Sequence, residues 1–371
     1  MRPASVNVLL CGDVMLGRGV DQIMTDPVDP RLHEPQVQSA TEYVSLAETV
    51  SGAIPRRAPP AYVWGDALAT WDALAPDVRI INLETAVTRS EAYDSKGINY
   101  RMSPAHVGSL RSARIDACSL ANNHVLDWGR PGLIETLEVL KRAGVRCAGA
   151  GRSLAEAETP AILDAGPGAR ILLIACATGD SGIPWDWAAG PDRPGVNHID
   201  LGPEAAQRIG RSLASIRRPG DLAVVSIHWG PNWGYAVEEE ARSFAHALID
   251  EAGVSVVHGH SSHHPKAAEV HNGRLVLYGC GDLINDYEGI GGLESYRPDL
   301  TAAYVAGLDT GSGALTDFRI TPFRLKRFRL GRPSPEDADW LRLRLGREYG
   351  RFGLGVEPEE SGCYRVDWRA P

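Results

Sequence analysis

Residues 8–13 read Val8-Leu9-Leu10-Cys11-Gly12-Asp13, an apolar run that stops at a glycine and a carboxylate. A short β-rich run with this ending is typical of a buried strand. The same arrangement, an apolar run followed at once by polar side chains, recurs along the chain. We therefore expect a sheet whose strands bring Asp13 and similar residues to one edge.

Short apolar runs of this kind alternate with amphipathic stretches. The predicted strands lie within Val6–Met15, Val78–Val87, Ile115–Leu120, Val145–Ala148, Ile171–Ala177, Leu222–His228, Val254–His260, Leu275–Gly279, Ala302–Leu308 and Phe318–Phe323. Leucines at helical spacing before Gly144 predict a helix over Pro131–Ala143. Similar patterns predict helices over Pro203–Arg217, Glu238–Ala252 and Pro335–Tyr349. This alternation indicates an α/β fold with buried sheets.

The 371 residues predict one large domain with a short C-terminal addition. We expect residues 1–330 to form that domain and residues 331–371 to add a helix and a tail that pack on it. Two segments, about 20–62 and 179–197, show few periodic signals and are rich in proline or glycine. They are expected to be loop insertions, which in compact domains are often functional.

Composition narrows the class of protein. The chain is 43% hydrophobic and 23% charged, which excludes a globally disordered protein, and its net charge of −9 does not support a nucleic-acid-binding surface. No apolar run reaches the ~20 residues that span a membrane. Six cysteines without a CxxC pair favour free thiols in a reducing compartment. We expect a cytoplasmic protein that binds neither membrane nor nucleic acid.

Five predicted strands end in possible metal ligands. These residues are Asp13, Glu84, Asn123 with His124, His228, and His260 with His263. Mixed carboxylate, amide and imidazole donors suit divalent metals, and a carboxylate can bridge two ions that activate water. One such residue is weak evidence, because an aspartate after a strand is usually a turn or a cap and a lone histidine usually belongs to the core. Five together predict a metal site.

These motifs resemble, in order and spacing, the bacterial CapA (poly-γ-glutamate capsule) family, a branch of the calcineurin-like metallophosphoesterase superfamily. The segments that carry the resemblance are Gly12-Asp13, Asn82-Leu83-Glu84, Ala121-Asn122-Asn123-His124, Ile227-His228-Trp229-Gly230 and Gly259-His260-Ser261-Ser262-His263. The resemblance implies a four-layer α/β/β/α sandwich with mixed sheets. It also implies a two-metal site between loops at the edges of the sheets.

The resemblance further implies a role for each residue of the site. The implied metal ligands are Asp13 and His263 for the first ion, Glu84 as the bridging acid, and Asn123, His228 and His260 for the second ion. His124 would be an outer-sphere acid or proton shuttle, so Asp13, His228 and His124 form the expected catalytic set. Asp127 is placed to orient His124 or to cap the following helix.

The first motif departs from the superfamily, which usually has Asp-x-His where this chain has Asp13-Val14-Met15. The last two histidines, His260 and His263, are also one residue further apart than usual. The CapA branch shares both changes. They leave open whether one or two divalent ions bind, and whether the ion is Mn²⁺, Zn²⁺, Ca²⁺ or Mg²⁺.

Tryptophans near the ligand segments are candidate substrate contacts. Trp185, Trp229 and Trp233 could hold an apolar or planar group of a small-molecule or peptide substrate, although core packing explains such residues equally well. The absence of a recognisable anchor favours such a substrate over a role at the capsule. The sequence does not indicate an oligomeric state.

Three functions are compatible with these features. The favoured one is a metal-dependent hydrolase that cleaves a phosphoester or a γ-glutamyl or peptide-type bond with activated water. The second is a metal-dependent peptide epimerase, as in some CapA-like proteins of lasso-peptide biosynthesis, which exchanges a proton at a C-terminal Cα. The third is a non-catalytic protein that binds polyglutamate or a biosynthetic partner.

Overall fold

A computed structural model describes residues 5–368 of the chain. The strands are β1 Ser5–Val14, β2 Val78–Leu83, β3 Ala86–Val87, β4 Arg101–Met102, β5 Ala117–Ser119, β6 Arg146–Ala148, β7 Ala150–Gly151, β8 Ala161–Asp164, β9 Arg170–Ala177, β10 Gly195–Val196, β11 Asp221–His228, β12 Val256–His260, β13 Ala268–His271, β14 Arg274–Leu277, β15 Asp282–Ile284, β16 Leu300–Asp309, β17 Leu315–Lys326, β18 Arg329–Gly331, β19 Gly355–Pro358 and β20 Tyr364–Asp367. The helices are α1 Arg18–Gln22, α2 Ala40–Ser51, α3 Ala67–Leu74, α4 Gly108–Ser112, α5 Gly129–Ala143, α6 Leu154–Ala157, α7 Pro203–Ile216, α8 Glu239–Asp250 and α9 Pro335–Gly350. Each predicted strand and helix is confirmed to within a few residues at its ends.

Two mixed sheets organise these elements. The large sheet has the strand order β19-β20-β17-β16-β1-β2-β5-β6, with β15 paired to β1 and β18 to β17. The small sheet has the order β13-β14-β12-β11-β9-β8. In the small sheet β14, β12, β11 and β9 are parallel and the edge strands β13 and β8 are antiparallel to them. In the large sheet β1, β2, β5 and β6 are parallel, and the strands from β16 to β19 are antiparallel to their neighbours. The carboxyl ends of the parallel strands therefore gather at one edge of each sheet.

Alternating side chains of the small sheet show how the layers pack. In β11, Val224 belongs to the core shared with the large sheet, and Val225 belongs to a second core shared with Ile209 of α7 and Leu248 of α8. Because successive residues of a strand point to opposite faces, the small sheet lies between the large sheet and these two helices. A hydrogen-bond contact of 3.0 Å from His258 Nε2 to the Cys11 carbonyl joins the two sheets directly.

The large sheet is also covered on both faces. Phe323 of β17 packs edge-on against Trp71 of α3, whereas Phe318 stacks on Tyr349 of α9. The two phenylalanines are five positions apart, an odd number, so they lie on opposite faces of the strand. Helix α3 thus lies in the outer layer, and α9, which also contacts β13, shares the inner face with the small sheet. This is the four-layer α/β/β/α sandwich with mixed sheets that the resemblance implies.

The C-terminal segment contributes more than the expected helix and tail. Helix α9 begins at the expected place, where Ser334 Oγ accepts a hydrogen bond of 3.2 Å from the Asp337 amide. Beyond it, β19 and β20 form a hairpin that extends the large sheet through β17. The expected insertion 20–62 likewise contains a three-turn helix, α2, capped by Ser39.

The structure bears on two features of the composition. All six cysteines are free thiols. Among residues 5–368, no helix combines the length and the apolar character that crossing a bilayer requires.

Leu10 is fully buried in β1, the strand that pairs with β16, β2 and β15. We expect Leu10→Ala to lower the free energy of unfolding by about 2–5 kcal/mol, because it removes buried methyl groups and leaves a cavity. Leu343→Ala is the matched control, since that leucine on α9 is 57% exposed and its loss should change stability by no more than about 0.5 kcal/mol. Urea denaturation followed by circular dichroism measures both. Equal midpoints for the two variants would contradict the assigned core.

Candidate metal centre

Strand register explains why residues far apart in sequence meet. In the large sheet Asp13 lies opposite Asn82 of β2 on one side and Asp282 of β15 on the other. In the small sheet His228, the last residue of β11, lies opposite His260, the last residue of β12. Since the two sheets pack face to face, these strand ends converge on one buried centre.

The first group of possible ligands consists of Asp13, His228 and His260, with one atom of each within 4.8 Å of the others. His260 Nδ1 lies 2.8 Å from His228 Nδ1 and 4.0 Å from Asp13 Oδ1. All three residues are buried. The Oγ of Ser226 lies 2.8 Å from His260 Nε2 and holds that ring from behind.

The second group consists of Asp13, His263 and Asp282, again within 4.8 Å of one another. His263 Nδ1 lies 2.8 Å from Asp282 Oδ1. Asn285 Nδ2 donates a hydrogen bond of 2.8 Å to the other oxygen of Asp282 and so orients the carboxylate. Asp13 belongs to both groups, which makes it the carboxylate placed to serve two ions.

Glu84 lies next to these groups but is in neither of them. Its Oε1 is 4.0 Å from His228 Nε2 and 3.8 Å from His124 Nε2. Asp13 is therefore the carboxylate common to both groups, and Glu84, the expected bridging acid, lies beside them. Asn82 Nδ2 donates to Asp13 Oδ1 at 2.7 Å and to Glu84 Oε2 at 3.2 Å, which fixes the two carboxylates relative to each other.

The backbone after His260 is in an unusual conformation. Ser261 has a φ of +103°, which is rare and strained for a residue with a side chain. In this conformation its amide lies 3.3 Å from Asp13 Oδ2 as a donor, and its Oγ donates to the Gly230 carbonyl. Gly12 is constrained too, since a Cβ there would lie 1.9 Å from the Gly281 carbonyl oxygen. Close packing around Asp13 thus accounts for both the positive φ of Ser261 and the glycine at position 12.

His124 is held by a carboxylate on the side away from the centre. Its Nδ1 lies 2.6 Å from Asp127 Oδ2, and Lys96 Nζ lies 2.8 Å from Asp127 Oδ1. Because the carboxylate can only accept, these partners assign the proton to Nδ1 and leave Nε2 free on the side of Glu84. The expected orienting role of Asp127 therefore matches its contacts. Asn123 precedes His124 and accepts a hydrogen bond from Lys96 through its backbone carbonyl.

Burial sets the protonation of the two groups. It raises the pKa of Asp13 to about 7, and the neighbouring charge of Asp282 adds to the effect. It lowers the pKa of His228 and of His260 well below the usual value, so both imidazoles are neutral and offer a lone pair. For His263 burial also lowers the pKa, but the charge of Asp282, the hydrogen bond to it and the charge of Asp13 together outweigh burial, and the net shift is upward.

The same residues fit a divalent cation. His228 Nε2 and Asn123 Oδ1 are buried without a hydrogen-bond partner. Such orphaned acceptors are costly unless something binds them. A cation would also offset the repulsion between the neighbouring carboxylates of Asp13 and Asp282. Neutral imidazoles and carboxylates are the donors that Mn²⁺, Zn²⁺ and related ions take.

The three candidate substrate tryptophans fall in different places. Trp233 lies 5.3 Å from His263, ring centre to ring centre, and therefore borders the second group. Trp229 is buried, stacks on Tyr278 and donates its Nε1–H to the Tyr278 carbonyl, so its contacts are those of a core residue. Trp185 is 69% exposed and contacts His198. Contact with a substrate at the centre is therefore supported for Trp233 alone of the three.

Three residues of the site were given no role from the sequence. Asp282 follows a glycine at the start of its strand, as Asp13 follows Gly12, and that repeated Gly-Asp pair was an available signal. Lys96 stands in a loop without regular structure, and only its contacts reveal its place beside His124. A third residue, Tyr287, brings its hydroxyl to 3.4 Å from His263 Nε2.

Comparison with known proteins agrees with the geometry. The profile of the family described as bacterial capsule synthesis protein PGA_cap matches residues 7–287, and the chain belongs to this family. A probable polyglutamine synthesis accessory protein of Mycobacterium tuberculosis is 46% identical over 367 residues, which cover 98% of this chain and 96% of that protein. The PGA biosynthesis protein CapA of Bacillus subtilis is 28% identical over 207 residues, 55% of this chain and 52% of its own. The family resemblance seen in the motifs is thus confirmed.

One solved structure is also similar. A crystal structure described as a novel phosphatase, from Mycoplasma pneumoniae, aligns with 91% of this chain and 97% of its own, at a TM-score of 0.47 and 10% identity.

If Asp13 serves both ligand groups, Asp13→Asn should weaken Mn²⁺ binding at both, by at least about tenfold. Asp282→Asn should weaken binding at the second group and spare the first. Equilibrium dialysis against Mn²⁺ with elemental analysis measures the bound equivalents. Asp317→Asn, a carboxylate of β17 paired with Arg319, is the matched control and should bind as wild type. Wild-type binding by Asp13→Asn would show that the shared carboxylate is not a ligand.

Proposed function

We propose that this protein is a metal-dependent hydrolase of the metallophosphoesterase type, which cleaves a phosphoester or a γ-glutamyl bond in a small molecule or peptide. The observation that carries the proposal is the presence of one buried carboxylate, Asp13, in two adjoining groups of metal ligands. A centre that holds two ions side by side suits hydrolysis, in which attack and departure both develop negative charge.

The chain's residues divide the work of binding the ions. Asp13, His228 and His260 would hold one ion, and Asp13, His263 and Asp282 the other. When bound, such ions supply activated water and stabilisation of the developing anion.

His124 is the residue placed to move a proton. Asp127 fixes its proton at Nδ1, so Nε2 is the nitrogen that would carry a proton to the leaving group. Tyr100 packs edge-on against the imidazole at 4.7 Å between ring centres and limits its rotation. Lys96 closes the same side of the site through its contact with Asp127.

The names of the relatives support a first choice of substrate. Proteins named for polyglutamine synthesis and for PGA biosynthesis match this chain over most or half of its length. A γ-glutamyl bond is therefore the first bond to test, with a phosphoester as the second.

One observation favours a different reaction at the same site. Two histidine–carboxylate pairs, His124 with Asp127 and His263 with Asp282, lie near His228, whose pKa is lowered mainly by burial and further by these two imidazoles. Two such pairs would also serve a peptide epimerase, which removes a proton from Cα on one face and returns one on the other.

With Mn²⁺ added, we expect the wild-type protein to release product from a γ-glutamyl anilide or from an aryl phosphate. Asp13→Asn and His260→Ala should abolish the release, because each removes a ligand, and the control Asp317→Asn should keep it. Product is measured by absorbance, and circular dichroism shows that each variant is folded.

The same samples separate the alternatives. A peptide panel incubated in D₂O that gains one mass unit without cleavage would replace hydrolysis by epimerisation. Absence of both reactions in a protein that binds Mn²⁺ would overturn the catalytic proposal and leave a binding protein.

His124→Ala should lower kcat by about 10²–10⁴ for a substrate with a poor leaving group such as an alkyl phosphate. The loss should be much smaller for a nitrophenyl ester, whose leaving group departs without a proton. Asp127→Asn should follow the same pattern more weakly, since it disturbs the tautomer and not the imidazole itself. Steady-state kinetics on the two substrates measure the ratio. Equal losses on both would show that His124 does not deliver the proton.

A further inference from the structure

A small cavity lies at the first turn of α8. Its volume is about 300 Å³, at the lower end of the range for ligand pockets, so it suits a small molecule. Trp229 and Tyr278, which belong to the core between the small sheet and its helices, form part of the wall. None of the candidate metal ligands, all of which the structure describes, lines this cavity. The cavity is therefore distinct from the metal centre.

Lys266 places a buried charge in this cavity. The residue is 8% exposed and lines the cavity wall. A Cβ at Gly279 would lie 3.0 Å from its Cγ and Cδ, so the aliphatic part of the side chain packs closely on that glycine. Across residues 5–368, its ammonium group has neither an ion pair nor a hydrogen bond with another side chain. A buried charge without a partner is costly, and an anionic group of a ligand would supply the partner.

Two carboxylates, those of Asp180 and Glu238, line the same cavity and are exposed. Burial lowers the pKa of Lys266, and the charges of these two residues oppose that shift, although neither forms an ion pair with the ammonium. Asp180 Oδ1 accepts a hydrogen bond of 3.2 Å from the Gly230 amide, which leaves Oδ2 available. A buried cation and two exposed carboxylates that do not touch it leave room for a ligand that carries both charges.

The N-terminus of α8 adds a second group that favours an anion. The N-cap residue, Glu238, makes no side-chain capping bond, and the first-turn residues Glu239–Ala241 line the cavity. The first backbone amides of a helix have no partner within the helix and favour a carboxylate. An anionic group would therefore be attracted both by Lys266 and by the start of α8.

We propose that this cavity binds the zwitterionic head group of an α-amino acid, with the α-carboxylate on Lys266 and the α-ammonium between Asp180 and Glu238. Such contacts are charge-assisted hydrogen bonds, the stronger kind in proteins. A free amino acid carries this head group, and so does the terminal residue of a γ-glutamyl compound, because the γ-linkage leaves both α-groups intact. Gly230 of the cavity wall follows His228 by two residues, so the ligand lies near the metal centre. Binding requires neither the ions nor the hydrolytic activity.

The test is isothermal titration calorimetry of the whole protein with L-glutamine, which has this head group and a neutral side chain. N-acetyl-L-glutamine lacks the ammonium and 4-aminobutanamide lacks the α-carboxylate, so both should bind at least about tenfold more weakly. Lys266→Met should weaken the binding of L-glutamine by a similar factor, because methionine keeps an apolar stem and removes the charge. Lys141→Met, a change to an exposed lysine on α5, is the control and should bind as wild type.

Glu238→Gln is a second variant that leaves the interior intact, since this side chain is exposed. It should weaken the binding of L-glutamine and leave that of N-acetyl-L-glutamine unchanged. The variant Asp13→Asn/His260→Ala should bind L-glutamine as wild type, which separates this cavity from the metal centre.

L-alanine identifies the source of the head group. Binding as tight as that of L-glutamine would assign the cavity to free amino acids, and weaker binding would assign it to γ-glutamyl compounds. Affinity for L-glutamine that survives both Lys266→Met and Glu238→Gln would overturn the proposal. Equal affinity for N-acetyl-L-glutamine, or no binding of any probe at millimolar concentration, would also overturn it.

Discussion

Burial of the Asp13 carboxylate between two sheets is the constraint on which the site depends. The carboxylate is removed from water, and burial together with the charge of Asp282 raises its pKa to about 7. Hydrogen bonding from Asn82 and the nearby Ser261 amide offset part of that cost but leave the carboxylate crowded. The proposed cation would supply the remaining compensation and would account for neutral imidazoles, rather than hydrophobic side chains, in this part of the core.

The backbone is shaped to keep the carboxylate in this position. Gly12 allows β1 to approach Gly281, and Ser261 adopts a strained φ that turns its amide toward Asp13. Strand register then places Asp282 and the two histidines of the small sheet at the same level. The site therefore depends on the fold, since a change in the packing of the two sheets would separate the candidate ligands.

Local pattern predicted most of the fold, because each β-rich run with a polar end became a strand of one of the two sheets. The C-terminal hairpin β19–β20 escaped prediction, since short strands with an exposed face resemble loops. The site was predicted as a set of residues but not as a geometry. Asp282 lies beside Asp13 because β15 pairs with β1, and the repeated Gly-Asp pair in the sequence does not by itself reveal this long-range contact. Trp229 is the opposite case. Its nearness in sequence to His228 made it a candidate substrate contact, but its side chain packs in the core.

The central claim is that two ions share Asp13. The most direct measurement is anomalous diffraction, at the manganese absorption edge, from crystals grown with Mn²⁺. We predict two neighbouring peaks in the buried centre, both coordinated by the Asp13 carboxylate, one completed by His228 and His260 and the other by His263 and Asp282. A centre without a peak, or a peak that Asp13 does not contact, would contradict this account.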